Sequence, residues 1–508
     1  MNHRLLHALG HYLICLIFIT IFSVVMGACT SHVGTITLTL IRSPETSEDP
    51  LTGIADFVRV RVDGPEGRVG PVFFSQTAKA GILDDIPTGP SQVITVEGVG
   101  PEGNAVSRGR TVPLTIGSGD NAIDLFLGRV DHFSRTPKSA GGSPSGVMIS
   151  ARAFHTATLT VEDKVLLVGG IANGRWRPGS TPTPEALRQV ESLDATSLRF
   201  ARIDCKTAGR CPTFGRVGHS ATALASGNVL IAGGIQQGLD TPRPVEVFAT
   251  KTDRFLTGAD LNTPRARHAA ARRGDTVAIV GGALDGARQV IGSVERYEGG
   301  TLREQPQLHE PRRDFAMVRL GDGTFFVSGG FDAQGHAIAS TEFLKPGAAL
   351  WIAGPALAVA RGFHTATVLP SGAVLIIGGL GTQGQATGTI EMFSKDAATH
   401  KTVGQLHLPR WAHTATLLGD QRLLVTGGFT LDVAGSPTRT VEEITVTSDT
   451  LINVKQPFSL HEERAGHTTT RLASGWLLIA GGITIHCDDA TPPTCTDQPS
   501  PTAEVFVY

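Results

Sequence analysis

Three residue types recur at fixed spacing along this chain, and each could do chemistry. Arg152, Arg216, Arg265, Arg312, Arg361, Arg410 and Arg464 each stand three residues before His155, His219, His268, Phe315, His364, His413 and His467. One glutamate follows in every repeat: Glu191, Glu246, Glu295, Glu342, Glu391, Glu442 and Glu504. Seven guanidinium groups around a channel mouth would capture an anion. Equal numbers of Arg and Glu, one of each per repeat, favour a different use. Each arginine pairs with a glutamate of its own or the adjoining repeat, so that partly buried charges are compensated and hydrogen-bonded. The histidines are read the same way, because a residue serving every repeat equally serves the repeat.

The elements that would position these residues follow from the cadence between them. Thirteen or fourteen residues after each His or Phe an apolar run ends in Gly-Gly, at 169–170, 233–234, 281–282, 329–330, 378–379, 427–428 and 481–482. Successive pairs lie 64, 48, 48, 49, 49 and 54 residues apart, the period of a propeller blade. A short stretch of small β-formers such as Thr414-Ala415-Thr416 predicts an innermost strand crowded against an axis. Runs such as VLLVGG and VLIIGG predict a second strand covered on both faces by neighbouring blades. The glutamate lies on a third strand, and a fourth, outer strand follows in six repeats. The chain ends after the third strand of repeat seven, so residues 130–136 are expected to supply that blade's outer strand and close the ring.

This pattern resembles the kelch repeat in the variant found in the central propeller of galactose oxidase and in many bacterial envelope proteins, and it covers about three quarters of the chain. The resemblance implies an all-β fold, a seven-bladed kelch-type β-propeller over residues 129–508. It does not imply the copper chemistry of galactose oxidase. Outside the leader only Tyr297 and Tyr508 are present, and the cysteines available look committed to loops. A kelch-type sialic-acid mutarotase needs only an acid/base carboxylate and an arginine, and remains the alternative function; nothing in the sequence singles out such a pair. Serine elbows, phosphate loops and zinc-protease motifs are absent.

Residues 1–29 read as an address. Arg4 precedes a 17-residue run from position 12 to 28 and then Cys29. Met26-Gly27-Ala28-Cys29 resembles a bacterial lipobox, which implies a diacylglyceryl group on Cys29 and, with Thr30 following, an outer-membrane address; an uncleaved signal anchor is the competing reading. Residues 30–128 predict a small β-sandwich-like domain from the runs at 35–42, 57–63, 72–74, 92–98 and 122–127, separated by Pro/Gly/Asp turns. The 61 glycines and 29 prolines suit many turns, and a net charge of −2 with no basic run gives no footprint for nucleic acid.

Cys205 with Cys211, and Cys487 with Cys495, read as loop-stapling disulfides of an oxidising compartment. A metal site at His486, Cys487, Asp488 and Asp489 is the weaker reading, for want of a second ligand cluster. No cofactor is expected. The connection from second glycine to glutamate takes 12 to 14 residues in most repeats, but 21 in repeat one and 22 in repeat seven. These long loops and the Cys205–Cys211 loop are expected to converge over blades seven, one and two. Arg175, Trp176 and Arg177 would be the anchors there, since Trp and Arg dominate binding hot spots. The reading that follows is a lipid-anchored cell-envelope module that docks a protein or glycan through propeller loops without catalysis.

Overall fold

The computed structural model describes residues 33–43, 49–137, 147–173, 186–236, 244–284, 289–419, 421–431, 435–448, 451–487 and 495–508. Every regular element among them is a β-strand. The first nine strands form two sheets. In one, β1 (Val33–Ile41) lies between β4 (Ala80–Pro87), antiparallel, and β8 (Asp120–Phe126), parallel. In the other the order is β3 (Gly67–Ser75), β2 (Phe57–Gly64), β5 (Gly89–Val99), β6 (Ala105–Arg110) and β9 (Gly128–Arg129), with β7 (Leu114–Ile116) paired to β5. Alternating Ile36, Leu38, Val58, Val60, Val62, Ile94 and Val96 turn inward to one shared core, as period-2 patterning requires. Strand β6 escapes notice in sequence because its inward residues, Ser107 and Gly109, are not apolar.

The remaining described residues make seven four-stranded antiparallel sheets, called blades below, in a propeller-like arrangement, with two two-stranded pairs beside them. Blade five is representative: Thr365–Val368, Val374–Ile377, Thr389–Phe393 and His400–Gln405, paired in that order. Its first strand is half-buried and built of small residues, and its second is wholly buried. Innermost strands of successive blades lie against one another all the way round, blade seven against blade one included.

A second interblade device explains the paired glycines. The N–H of each second glycine donates to the carbonyl of the next blade's repeated arginine, from Gly170 to Arg216 at 2.8 Å through to Gly482, which reaches Arg152 at 2.9 Å. At Gly378, φ is 61° and an added Cβ would stand 2.6 Å from His413 Cε1 of the next blade. At Gly379 it would meet the Cβ of His364, in its own blade, at 3.0 Å. One glycine lets the next blade approach, and the other lets the chain leave its own strand.

Strand β10 (His132–Arg135) is the outer strand of blade seven. It runs antiparallel to Ala503–Val507, with Phe133 opposite Phe506 and Arg135 opposite Glu504. Phe133 packs 4.8 Å from Phe506 in a core shared with Leu424, Val441 and Ile479 of blades six and seven.

Candidate functional site

Each repeated arginine pairs with the glutamate of its own blade, at 2.6, 2.8, 2.8, 2.9, 2.5, 2.7 and 2.5 Å in chain order, and the arginine side chains are 0% exposed. Arg361 shows how completely the charge is used. Its Nη1 donates to the carbonyls of Gly378 (2.8 Å) and Thr389 (3.0 Å), Nη2 to Glu391 (2.5 Å) and to the Thr389 hydroxyl, and Nε to Val359 O (3.0 Å). Glu391 in turn accepts the N–H of Ala358, at 2.8 Å, in the segment arriving from blade four. Burial pushes the Arg361 guanidinium down to about 10 while Glu391 holds it up, so it is charged at neutral pH. These seven clusters fasten each incoming connection to a third strand; they do not face a ligand. Arg361→Ala is expected to destabilise by about 3–5 kcal/mol, because Glu391 would be left buried without its cation. Urea unfolding measures this, and a change within error would contradict the burial argument.

The histidines clasp neighbouring blades. His219 Nε2 meets Thr156 Oγ1 at 2.9 Å, His268 meets Ser220 Oγ at 2.8 Å, His413 meets Thr365 Oγ1 at 3.2 Å and His155 meets Thr468 Oγ1 at 3.1 Å, each a hydroxyl on the preceding blade's first strand. His467 does the same with Thr414 at 3.2 Å, and adds Thr426 at 3.0 Å. Phe315 breaks the series where its partner position is Ala269, which has no hydroxyl to offer. At the next junction the partner position is Ala316, and His364 instead reaches Ser328 Oγ at 2.9 Å, on the residue paired opposite Ala316. The one aromatic exception and the one displaced hydroxyl are therefore local compensations.

The repeats differ at the two positions between arginine and histidine. The second of these, occupied by Phe154, Gly218, Arg267, Asp314, Phe363, Ala412 and Gly466, has positive φ in every blade. The N–H groups of Phe154, Arg267, Asp314, Phe363, Ala412 and Gly466 each donate to the carbonyl of the preceding blade's equivalent, at 2.7 to 3.1 Å, drawing a ring around the axis. With the histidines and Phe315 these residues line a cavity of about 330 Å³. Only blades three and four carry charge here. Arg267 Nε donates to Asp314 Oδ1 at 2.8 Å and its Nη2 contacts Oδ2, which Arg313 Nη1 also reaches at 2.7 Å. The three side chains are 1%, 4% and 8% exposed for Arg267, Asp314 and Arg313. The Arg267 guanidinium lies 5.6 Å from the Phe363 ring centroid and that of Arg313 5.4 Å from Phe331, within cation–π range. Two cations around one carboxylate leave a net positive charge at the mouth. Sequence reasoning missed this cluster, although its signal was present: aligning the seven Arg-x-x-His/Phe steps leaves charges at the middle positions only as Arg267, Arg313 and Asp314.

The other candidates fall in different places. Arg175, Trp176 and Arg177 lie outside the described residues, as do Cys29, Asp488 and Asp489. Cys205 is bonded to Cys211 and Cys487 to Cys495, with Cα atoms 5.1 and 3.9 Å apart; such bonds fit an oxidising, non-cytoplasmic compartment. The second bond joins the hairpin strands Ile483–Cys487 and Cys495–Pro499 in the long connection of blade seven, which removes Cys487 as a metal ligand. Among the described residues no group of three His, Cys, Asp or Glu could hold a metal ion, and no helix is long and apolar enough to cross a membrane.

The expected convergence of the two disulfide loops is not found. Gly209 O accepts the N–H of Phe255 (2.6 Å) and Ala208 O accepts from Arg254 (3.3 Å), at the turn between the third and fourth strands of blade two. That turn is at the end of the blade opposite Glu246. The loop descends along the outer edge of blade two because Cys211 and Ile203 are apolar enough to join the Phe248 and Phe255 core between blades one and two.

No protein-family model matches the chain, and no curated protein does. Among the solved structures that match is one titled "Structure of YjhT", 14% identical, covering 61% of this chain and 99% of that chain with a TM-score of 0.47.

Proposed function

We propose that residues 129–508 are a closed seven-bladed kelch-type β-propeller, carried with a small β-sandwich domain (30–128) on a lipid anchor at Cys29 in a bacterial cell envelope, and that the protein is a non-catalytic binding module for a protein or glycan. The observation that carries this reading is the state of Asp314. A general base must reach the proton of its substrate, whereas the Asp314 side chain is 4% exposed and both its oxygens already accept from guanidinium groups. Arg267, with Phe154 and Phe363 in the same cavity lining and Arg313 held against Asp314 outside that lining, gives the cavity a positively charged, aromatic floor, which suits recognition of a polar partner. The described starts of the long connections of blades one and seven leave the same end of their second strands, and Arg175, Trp176 and Arg177 in the first are proposed as peripheral anchors.

Affinity capture from cell-envelope and extracellular fractions tests this with the full chain and its Arg175→Ala/Trp176→Ala/Arg177→Ala variant. The variant is expected to lose partner capture with its melting temperature nearly unchanged. Undiminished capture would move the anchors to the channel mouth, where Arg267→Gln is the next variant. The alternative is a sugar-active propeller enzyme of sialic-acid-mutarotase type, favoured by the one feature such an enzyme needs, a non-repeated charged pair at the mouth. Anomer exchange of acidic sugars followed by NMR distinguishes the two, and acceleration by the protein that Asp314→Asn abolishes would establish catalysis.

A further inference from the structure

The amino-terminal domain carries a charged cluster that the propeller reading does not use. On one face of the second sheet, side chains of β2, β5 and β6 align in cross-strand rows. One row is Arg59–Glu97–Arg108 and the next is Arg61–Thr95–Arg110. In the first, the central anion is supplied by the protein. Arg59 donates to Glu97 through Nε at 3.1 Å and Nη2 at 2.8 Å, and Arg108 Nη2 stands 3.7 Å from its other oxygen. In the second row the arginines are repeated but the carboxylate is replaced by a threonine.

That second row has unused donors. Arg61 reaches only the neighbouring row's Glu97, at 3.5 Å, and its buried Nε has no hydrogen-bond partner among the described residues. A cavity of about 290 Å³ opens there, lined by Arg61, Asp63, Thr95, Glu97, Arg108 and Arg110. Both carboxylates in the lining are already bridged by arginines outside it, Asp63 by Arg68 at 2.5 Å and Glu97 by Arg59. Five arginines outnumber the two side-chain carboxylates of the patch, with Arg108 also donating to Tyr508 O at 3.0 Å, on a chain whose net charge is −2.

We infer that the Arg61–Thr95–Arg110 row is a binding site for a phosphate group. Two guanidinium forks and a hydroxyl present donors from three sides, more than the two oxygens of a carboxylate can use and well matched to a tetrahedral dianion. The bound group occupies, in its row, the place Glu97 occupies in the other. Its source is either a soluble phosphate or phosphate ester, or the headgroup of a phospholipid. The inference stands independently of the channel-mouth reading.

Calorimetric titration of the full chain with inorganic phosphate, against chloride at equal ionic strength, tests it together with sedimentation on phosphatidylcholine vesicles with and without phosphatidylglycerol. Phosphate binding that weakens at least tenfold in Arg61→Gln/Arg110→Gln, and severalfold in Thr95→Val, supports the site with a soluble ligand. Binding seen only on anionic vesicles, and lost in the same double variant, supports it with a headgroup ligand. Absence of phosphate binding, with vesicle binding identical in wild type and double variant, overturns it. Lys251→Gln, in an exposed turn far along the chain from the cluster, serves as a control for nonspecific loss of charge, and an unchanged melting temperature shows that the variants fold.

Discussion

Acidification from pH 7.5 to 5 is expected to unfold this protein cooperatively, well above the range in which carboxylates titrate. His155, His219, His268, His364, His413 and His467 are all buried, and burial, reinforced by the neighbouring repeated arginine, lowers each below its ordinary 6.5, to about 3 for His219 and His413. The folded state therefore excludes protons that the unfolded chain accepts. The stability involved is fully present above pH 6.5 and is lost as pH falls from there towards the folded values. Each histidine contributes about 1.4 kcal/mol per pH unit within that window. Six acting together approach ~8 kcal/mol for the first full unit, comparable to the ~5–15 kcal/mol that holds a typical domain. Glu504 adds a separate loss at lower pH. Burial raises it, but Arg464 and His461 bring it down to about 2, so its contribution is lost from pH 4.5 downward. Urea midpoints measured at half-unit steps would show a steep fall below pH 6.5, and a flat profile to pH 5 would sink the argument. The double change Thr365→Ala/His413→Phe copies the native Ala269–Phe315 junction and should reduce proton uptake on unfolding by about one.

What the sequence made legible was whatever each repeat had to do for itself. The Gly-Gly pairs, the buried second strands and the Arg–Glu partnership recur because each blade solves the same packing problem, and repetition raises them above the background of one sequence. Arg267, Arg313 and Asp314 are visible only as departures from that repetition. A search for what recurs passes over them, while a comparison of each blade with the others would have found them. The path of the Cys205–Cys211 loop was not legible for another reason. Strand order fixes the side on which a connection starts, but Ile203, Cys211, Phe248 and Phe255 decide where it packs, and that is a matter of tertiary fit with a neighbouring blade. Strand β6 was hidden because Ser107 and Gly109 face a partner sheet that tolerates small residues, so no alternation betrays it.

A chain beginning at Val147 should fail to fold as a cooperative unit, although it retains every Arg, Glu and Gly-Gly of the seven repeats. What it lacks is β10, and four residue pairs join that strand to Ala503–Val507. Without it the third strand of blade seven becomes an open edge, with the N–H and C=O groups of an apolar sequence exposed to unintended pairing. Phe133 leaves too, and with it the ring that fills the space among Leu424, Val441, Ile479 and Phe506. The ion pairs Asp131–Arg422, at 3.0 Å, and Arg135–Glu462, at 3.9 Å, also tie this segment to blade six. The damage does not stay in blade seven. Gly482 donates to Arg152 and His155 reaches Thr468 across the junction of blades seven and one, so a frayed seventh blade loosens the first. Calorimetry should show a broad or absent transition for the shortened chain against a single sharp one for the full chain. Because that deletion also removes the amino-terminal domain, Phe133→Ala in the full chain isolates the strand itself. It is expected to cost about 3–5 kcal/mol, the loss typical of a buried phenylalanine. If the shortened chain melts like the whole protein and Phe133→Ala is silent, blade seven does not depend on its upstream strand.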